Sequence, residues 1–398
     1  RKHPPGTWLR VPRTDITRLT ERRHPTPAEL DEACPNHPVV FNAARKNVLN
    51  TLGFTKLGVT PTMTSFDGGK VIRDAAAAVK QALAKARKAT HLGVGKGIVK
   101  DVASNRRIIG SNGKVHYTRW TATRDAKIRA FPVGTIDPEL KMITFWDGDD
   151  AIAALSWYAT HPQSYYKVGL ATPDFPGLAR NARQKATDVM HVHFNGAGGD
   201  IGAGKWNDGS HANRQVLADR VAAGMKLAWE NTKKAPLEAA DVEWQVEPVL
   251  LPVAKHLDGD KLERTVASEK VKPIDRFYAA KNLTWLRSCL AGTTIDVSCL
   301  NIGQARILHM PGELLVEYQL KAQELRPDLF VAMAAYGEYA PGYIGTKVAY
   351  AQGGYETSPG ASRVAPEVEE VLMGAVRKLL DKELSQKGES VPTIEKRK

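Results

Sequence analysis

Apolar residues recur along this chain with two periods, and the periods alternate. From Asp67 onward, Ile72, Ala76, Val79, Leu83 and Ala86 fall at spacings of 4, 3, 4 and 3, one face of an amphipathic helix. Residues 90–99 then read as a strand interrupted by glycines. Residues 142–145 and 151–160 read as strands around Asp147-Gly148-Asp149-Asp150, a turn composition that predicts a hairpin. Residues 190–194 form a short strand running into a glycine-rich loop, 195–204, and the next helix carries Leu217, Val221, Met225 and Ala228 on one face. Residues 306–310 are a strand ending in Pro311-Gly312-Glu313. A helix with Leu314, Leu315, Tyr318 and Ala322 follows, and 330–335 is a buried strand entering a Tyr/Gly loop. The last helix spans about 366–383; Glu367, Glu369 and Glu370 near its start and Arg377 and Lys378 later suit the helix dipole. Strands alternating with helices predict an α/β fold of the layered α+β kind, with mixed sheets and flanking helices.

Residues 1–60 differ in style. They are rich in charge and proline (Pro4-Pro5-Gly6, Pro12, Pro25, Pro27, Pro35, Pro38) and predict at most two short helices. One starts near Thr26-Pro27, with a threonine cap, a proline and then Glu29. The other lies around 42–52. A boundary near 60 would leave 61–398 as the main domain.

Composition narrows the function. Of 398 residues, 42% are apolar and 25% charged, enough for a sizeable core. The formal charge of +13 favours anionic partners, among them a membrane surface contacted peripherally. No base-reading motif occurs, and no dense Lys/Arg run precedes 395–398, so nucleic acid is not expected as a partner. No apolar run reaches the ~18 residues of a membrane span. Cys34, Cys289 and Cys299 form no C-x-x-C pair, which excludes a cysteine zinc knuckle; a Cys289–Cys299 disulfide and reduced structural thiols both stay open. Arg1 in place of a start methionine reads as a fragment or processed form, and no signal peptide is visible.

Several polar residues follow strand ends, where ligands collect in layered α/β folds. His161, in Ala159-Thr160-His161-Pro162, is either a structural histidine or a metal ligand. Glu313 is either an acid at a helix start or a metal-binding carboxylate. Tyr336, Tyr339, Tyr343, Tyr350 and Tyr355 crowd a glycine-rich loop as packing or binding groups. The stretch from Gly199 to Lys205 formally matches G-x-x-x-x-G-K, but Trp206 stands where a P-loop needs Ser or Thr. Close backbone approach explains those glycines better than phosphate binding.

Five segments, in this order, resemble the catalytic domain of the neutral/alkaline non-lysosomal ceramidases over about 69–384. They are Ala103-Ser104-Asn105-Arg106-Arg107, Leu155-Ser156-Trp157-Tyr158-Ala159-Thr160-His161-Pro162, the loop 195–204, Pro311-Gly312-Glu313-Leu314, and 339–355. The similarity is closer to bacterial ceramidase-like proteins of unknown substrate. It implies a pocket with one Zn²⁺ held by His161, Glu313 and Tyr343. Arg106 would hold the amide carbonyl and Tyr355 would stabilise the oxyanion. The implied activity is zinc-dependent hydrolysis of a linear N-acyl amide, with a small-molecule or lipid amide substrate and a secreted or periplasmic setting.

Two departures accompany the resemblance. The family's early His-x-His motif, with its first zinc histidine and a proton-transfer histidine, has no counterpart before His161; His24, His37, His91 and His116 lack the pattern. The family's glycine-loop serine aligns with Gly202. Impaired catalysis follows, unless His193 or His309 compensates, and the alternative is an inactive remnant that binds a lipid-like or amide ligand. Pro4-Pro5-Gly6-Thr7-Trp8 and Thr26–Asp31 resemble a fragment of a metal-dependent amidohydrolase, which suggests an N-terminal fusion; it brings no metal motif of its own.

Overall fold

A computed structural model describes residues 68–166, 172–338 and 340–381, with shorter pieces at 5, 9–11, 26–37, 39–42 and 47–49. The chain divides into Arg1–Ala86 with Lys167–Ala171, and Arg87–Tyr166 with Thr172–Lys398.

In the first unit, the helix Pro27–Ala33 starts as its sequence predicts. Glu29 N donates to Thr26 Oγ1 at 3.3 Å and Thr26 N donates to the Glu29 carboxylate at 2.7 Å, a reciprocal capping box. Of the helix expected around 42–52, the described residues, 42 and 47–49, are strand instead, and the others lie outside the described residues. Val39–Asn42 and Asn47–Leu49 are antiparallel strands, with Phe41 opposite Val48, and Leu9–Val11 pairs parallel to the first of them. Gly68–Leu83 is the predicted amphipathic helix, and Ile72, Val79 and Leu83 on its apolar face are exposed.

The second unit carries two sheets. One has the order 190–195, 150–158, 139–147, 91–98, 233–236, with only the first pair parallel. The predicted hairpin is its centre: Glu139–Asp147 and Asp150–Tyr158 join through a turn in which Gly148 has φ +60°. The other sheet has the order 242–249, 295–302, 305–309, 330–334, with the last pair parallel.

The period of two along these strands sorts side chains between layers. Leu92, Ile143 and Trp157 of the first sheet meet Ile302, Ile307, Phe330 and Ala332 of the second, so the sheets pack face to face. The opposite face of the first sheet (Leu140, Met142, Ala154, Tyr158) is covered by helices Asp174–Thr187 and His211–Glu230 through Phe175, Leu217, Val221 and Met225. The opposite face of the second (Val297, Cys299, Leu308, Met333) is covered by helices Pro273–Leu290, Val316–Leu325 and Val368–Leu380. The result is helix, sheet, sheet, helix, the layered α/β fold that the alternating periods predict.

The glycines of strand His91–Ile98 admit the long helix to close range. A Cβ on Gly95 would lie 2.0 Å from Ala228 O, and one on Gly97 2.1 Å from Gly224 O. Cys289 and Cys299 sit in the outer core of the second sheet as free thiols, so the disulfide alternative falls; burial pushes Cys299 up to about 12. Among the described residues, no helix is long and apolar enough to cross a membrane.

Candidate active site

Four parallel-paired strands end at one place. His161 follows strand Asp150–Tyr158, the glycine loop follows Met190–Asn195, Glu313 follows Ala305–His309, and Tyr343 lies beyond Phe330–Ala334. Ala335 N donates to Asn195 O at 3.1 Å and ties the ends of the two sheets together. The site therefore lies at carboxyl ends of strands.

Glu313 is not a helix N-terminal acid. Glu313–Leu314 form a short parallel ladder with Tyr343–Ile344, and the helix starts later, at Val316. Glu313 and Tyr343 are direct partners in that ladder, which puts their side chains on the same face. The glycine loop passes behind it. Gly199 N donates to Leu314 O at 2.7 Å, and a Cβ on Gly199 would stand 2.5 Å from Glu313 O. This is the close backbone approach expected of the loop. Lys205 is spent on carbonyls, donating to Phe131 O at 2.6 Å and Arg129 O at 2.9 Å, so the formal phosphate-loop pattern has no free lysine.

His161 joins the loop to the ladder. Its Nδ1 lies 2.6 Å from Gly198 O and 2.9 Å from Ile201 O. Carbonyl oxygens only accept, so Nδ1 carries a proton. Nε2 then points to Glu313 Oε2 at 2.9 Å and to the Tyr343 hydroxyl at 3.1 Å. All three residues are buried, at 7%, 5% and 8% exposure. One nitrogen and two oxygens face a common point, a donor set zinc accepts, with the second histidine nitrogen held by carbonyls as in ordered metal sites. Among the described residues, no cluster of three or more His, Cys, Asp or Glu could hold a metal; the third donor here is a phenol. His193 and His309 do not join: His193 Nδ1 is bonded to Ser156 Oγ at 2.9 Å, and the His309 ring lies on Trp244 with centroids 5.0 Å apart.

Arg106 adds the electrophilic side. Its Cζ lies 5.1 Å from the Tyr343 ring centroid, 5.5 Å from Tyr355 and 5.8 Å from Trp120. Burial opposes its charge, but Glu356 and then Tyr343 more than offset this and raise its pKa. Its Nη2 is buried without a hydrogen-bond acceptor. Burial raises the Tyr343 phenol strongly, although the charge of Arg106 pulls it down. Tyr355, 42% exposed, meets Tyr343 edge-on at 5.5 Å and Trp120 at 5.2 Å, forming the aromatic rim. Tyr336 sets its ring edge-on to His161 at 6.3 Å, from a left-handed backbone with φ +69°. Tyr350 bonds Ser362 at 2.7 Å and serves packing; Tyr339 lies outside the described residues.

Sequence reasoning did not single out Glu356 or Trp120. Glu356 is fully buried and accepts from Arg106 Nε at 2.6 Å and Arg107 Nη1 at 2.8 Å. One signal was available: two adjacent arginines in an apolar surrounding require a carboxylate, and Glu356 is the single acid between Ala340 and Pro366.

No protein-family model matches the chain, and no curated protein sequence matches it significantly. Among solved structures it is similar to a protein titled "Ceramidase complexed with C2", with TM-score 0.55 and 15% identity over 88% of this chain and 64% of that one. It is also similar to the neutral ceramidase from Pseudomonas aeruginosa, with TM-score 0.51 and 15% identity over 88% of this chain and 63% of that one. The fold is ceramidase-like. The chain spans under two thirds of the length of these ceramidases, and at this identity the likeness establishes fold alone.

Proposed function

We propose that this ceramidase-like chain is a zinc-dependent hydrolase of a linear N-acyl amide. The observation that carries the proposal is the meeting of His161 Nε2, the Glu313 carboxylate and the Tyr343 hydroxyl at 2.9 and 3.1 Å, with His161 Nδ1 held by two backbone carbonyls. These three side chains would hold the metal. Bound there, Zn²⁺ would supply a water acidified toward a pKa of ~7 and polarise the carbonyl. The protein's own groups supply the rest. The carbonyls of Gly198 and Ile201 fix the histidine tautomer. The buried Nη2 of Arg106 lacks an acceptor, and a buried donor left unpaired costs about 1–3 kcal/mol, so an amide oxygen is the natural occupant of that position. Tyr355 stands at the rim as a second donor to the developing oxyanion. The +13 charge supports a substrate drawn from beside an anionic surface.

A second reading is a shell that binds a lipid-like or amide ligand without cleaving it. The partnering of His193 with Ser156 and of His309 with Trp244 favours it, since neither supplies a missing proton-transfer group. One experiment separates the two: zinc content of the purified chain with Glu313→Ala as control, followed by a screen of N-acyl amides. About one equivalent of zinc, lost in the variant, with amide cleavage by the parent, is expected. Zinc without turnover selects the second reading. A folded parent that takes up no zinc sinks the hydrolase.

A further inference from the structure

Glu356 has no part in the reaction as described, yet it touches the group that would hold the substrate. Its two oxygens serve different arginines: Oε1 accepts from Arg106 Nε at 2.6 Å, and Oε2 accepts from Arg107 Nη1 at 2.8 Å. Arg107 is tied down further. Its Nη2 donates to Ala349 O at 3.0 Å and to Gln352 Oε1 at 3.3 Å. Arg107 thereby fixes where the carboxylate stands, and the carboxylate fixes Arg106. A guanidinium is planar, so a bond at Nε sets the direction of both terminal nitrogens. Held in this way, Arg106 stacks beside Tyr343 and Tyr355, and its Nη2 is left buried without an acceptor.

We infer that Glu356 is a positioning residue: anchored by Arg107, it orients Arg106 so that Nη2 is presented beside Tyr343 to the substrate's carbonyl oxygen. The identity of that oxygen rests on the amidase reading; the orientation of Arg106 does not. A carboxylate present only to neutralise two buried arginines would act on stability. A positioning carboxylate, whatever its share in stability, acts on turnover as well, and that effect runs only through Arg106.

The test is a double-mutant cycle on the full chain: Glu356→Gln, Arg106→Gln and the pair, with kcat and KM measured separately on a short N-acyl amide carrying a fluorogenic amine. Glutamine keeps the volume but can satisfy only one arginine. In Glu356→Gln, kcat should fall about 10–100-fold, as for a group misplaced by about 1 Å, with KM changed less than about threefold. Added to Arg106→Gln, the same change should cost less than about twofold more. Equal losses in both backgrounds would overturn the inference. Crystal structures of parent and Glu356→Gln read the same point without turnover. Arg106 leaving the Tyr343 face supports it, and an unmoved guanidinium overturns it, even if the parent cleaves no amide and the amidase reading fails on its own. Should the glutamine variant not fold, Glu356→Asp keeps the charge and shortens the reach; a kcat-specific loss at unchanged melting temperature is then expected, and unchanged kcat overturns the idea.

Discussion

Glu313 and Glu356 are both buried carboxylates at the same site, and their surroundings differ in kind. Glu356 meets two guanidinium groups at 2.6 and 2.8 Å, permanent cations that it bridges with one oxygen each. Glu313 meets the Nε2 of His161 at 2.9 Å, across from a ring nitrogen whose proton is already committed to two carbonyls. The first carboxylate has both oxygens taken by side chains of the chain itself. The second faces His161 Nε2, the nitrogen that the proposed zinc would take. Ion pairs made within the chain hold structure, whereas the set of His161, Glu313 and Tyr343 is the one proposed to take up a metal. On that reasoning the arginine half should dominate stability and the histidine half should dominate binding.

The comparison breaks first at Glu356→Ala. Two arginines nine-tenths buried or more would lose their carboxylate, and removing one member of such a network costs about 3–5 kcal/mol. Urea denaturation should show the loss, and a change under about 1 kcal/mol would mean that the arginines find other partners. Gly199→Ala comes next. Its Cβ would press on Glu313 O and Leu314 O, at 2.5 and 2.7 Å, and forcing the ladder outward should cost about 1–3 kcal/mol, along with weaker zinc uptake. Thermal denaturation and metal titration of one preparation check both effects. Glu313→Ala should cost less than about 2 kcal/mol, because His161 Nε2 keeps the Tyr343 hydroxyl, while zinc is lost. If Glu313→Ala destabilises as much as Glu356→Ala, the two halves are not different in kind.

The picture sharpens further through pH. Asp200 is fully buried, accepts from Asn105 Nδ2 at 2.7 Å and from Val316 N at 3.0 Å, and lies behind the site. Burial, with the charge of Glu317, pushes it up from 3.8 to about 7. A carboxyl raised on folding stabilises fully below its unfolded value, and that contribution fades as pH rises through about 7. His191 and His193 work in the opposite sense, since burial lowers each from 6.5 to about 4 and their contribution fades as the pH falls through that range. The readout is therefore a difference. Asp200→Asn should gain stability relative to the parent between pH 4 and 8, measured by urea denaturation at each pH; a constant difference would show that Asp200 stays ionised throughout.

Much of this was legible in the residues. The alternating periods predicted the layers, and the hairpin at Asp147–Asp150, the strand ending before Pro311 and the helix cap at Thr26 stand where their local chemistry put them. His161 and Glu313 were legible because each follows a strand end, whereas Tyr343 was set apart from the other tyrosines by the resemblance to ceramidases; the structure brings the three within hydrogen-bonding distance. Where sequence reasoning failed, long-range partners had outweighed local preference. Asn47–Leu49, expected as helix, is strand because it pairs with Val40–Asn42 across a ladder. Glu313–Leu314 left the helix start for a ladder because Tyr343–Ile344 lies alongside. Glu356 was missed because its own neighbours, Gly353-Gly354-Tyr355, report nothing of it; the signal lay some 250 positions away, in two adjacent arginines that need a carboxylate.

What the sequence determined by itself is the set of parts: which stretches become strands or helices, which faces are apolar, and which polar groups are carried to strand ends. Periodicity and capping are local, and the energies behind them act within a few residues. The tertiary structure alone decided the tautomer of His161, the pairing of Glu313 with Tyr343, the clamp of Glu356 on Arg106 and the unpaired Nη2. Each depends on desolvation and on partners from distant segments, and those terms come into being only when the layers close.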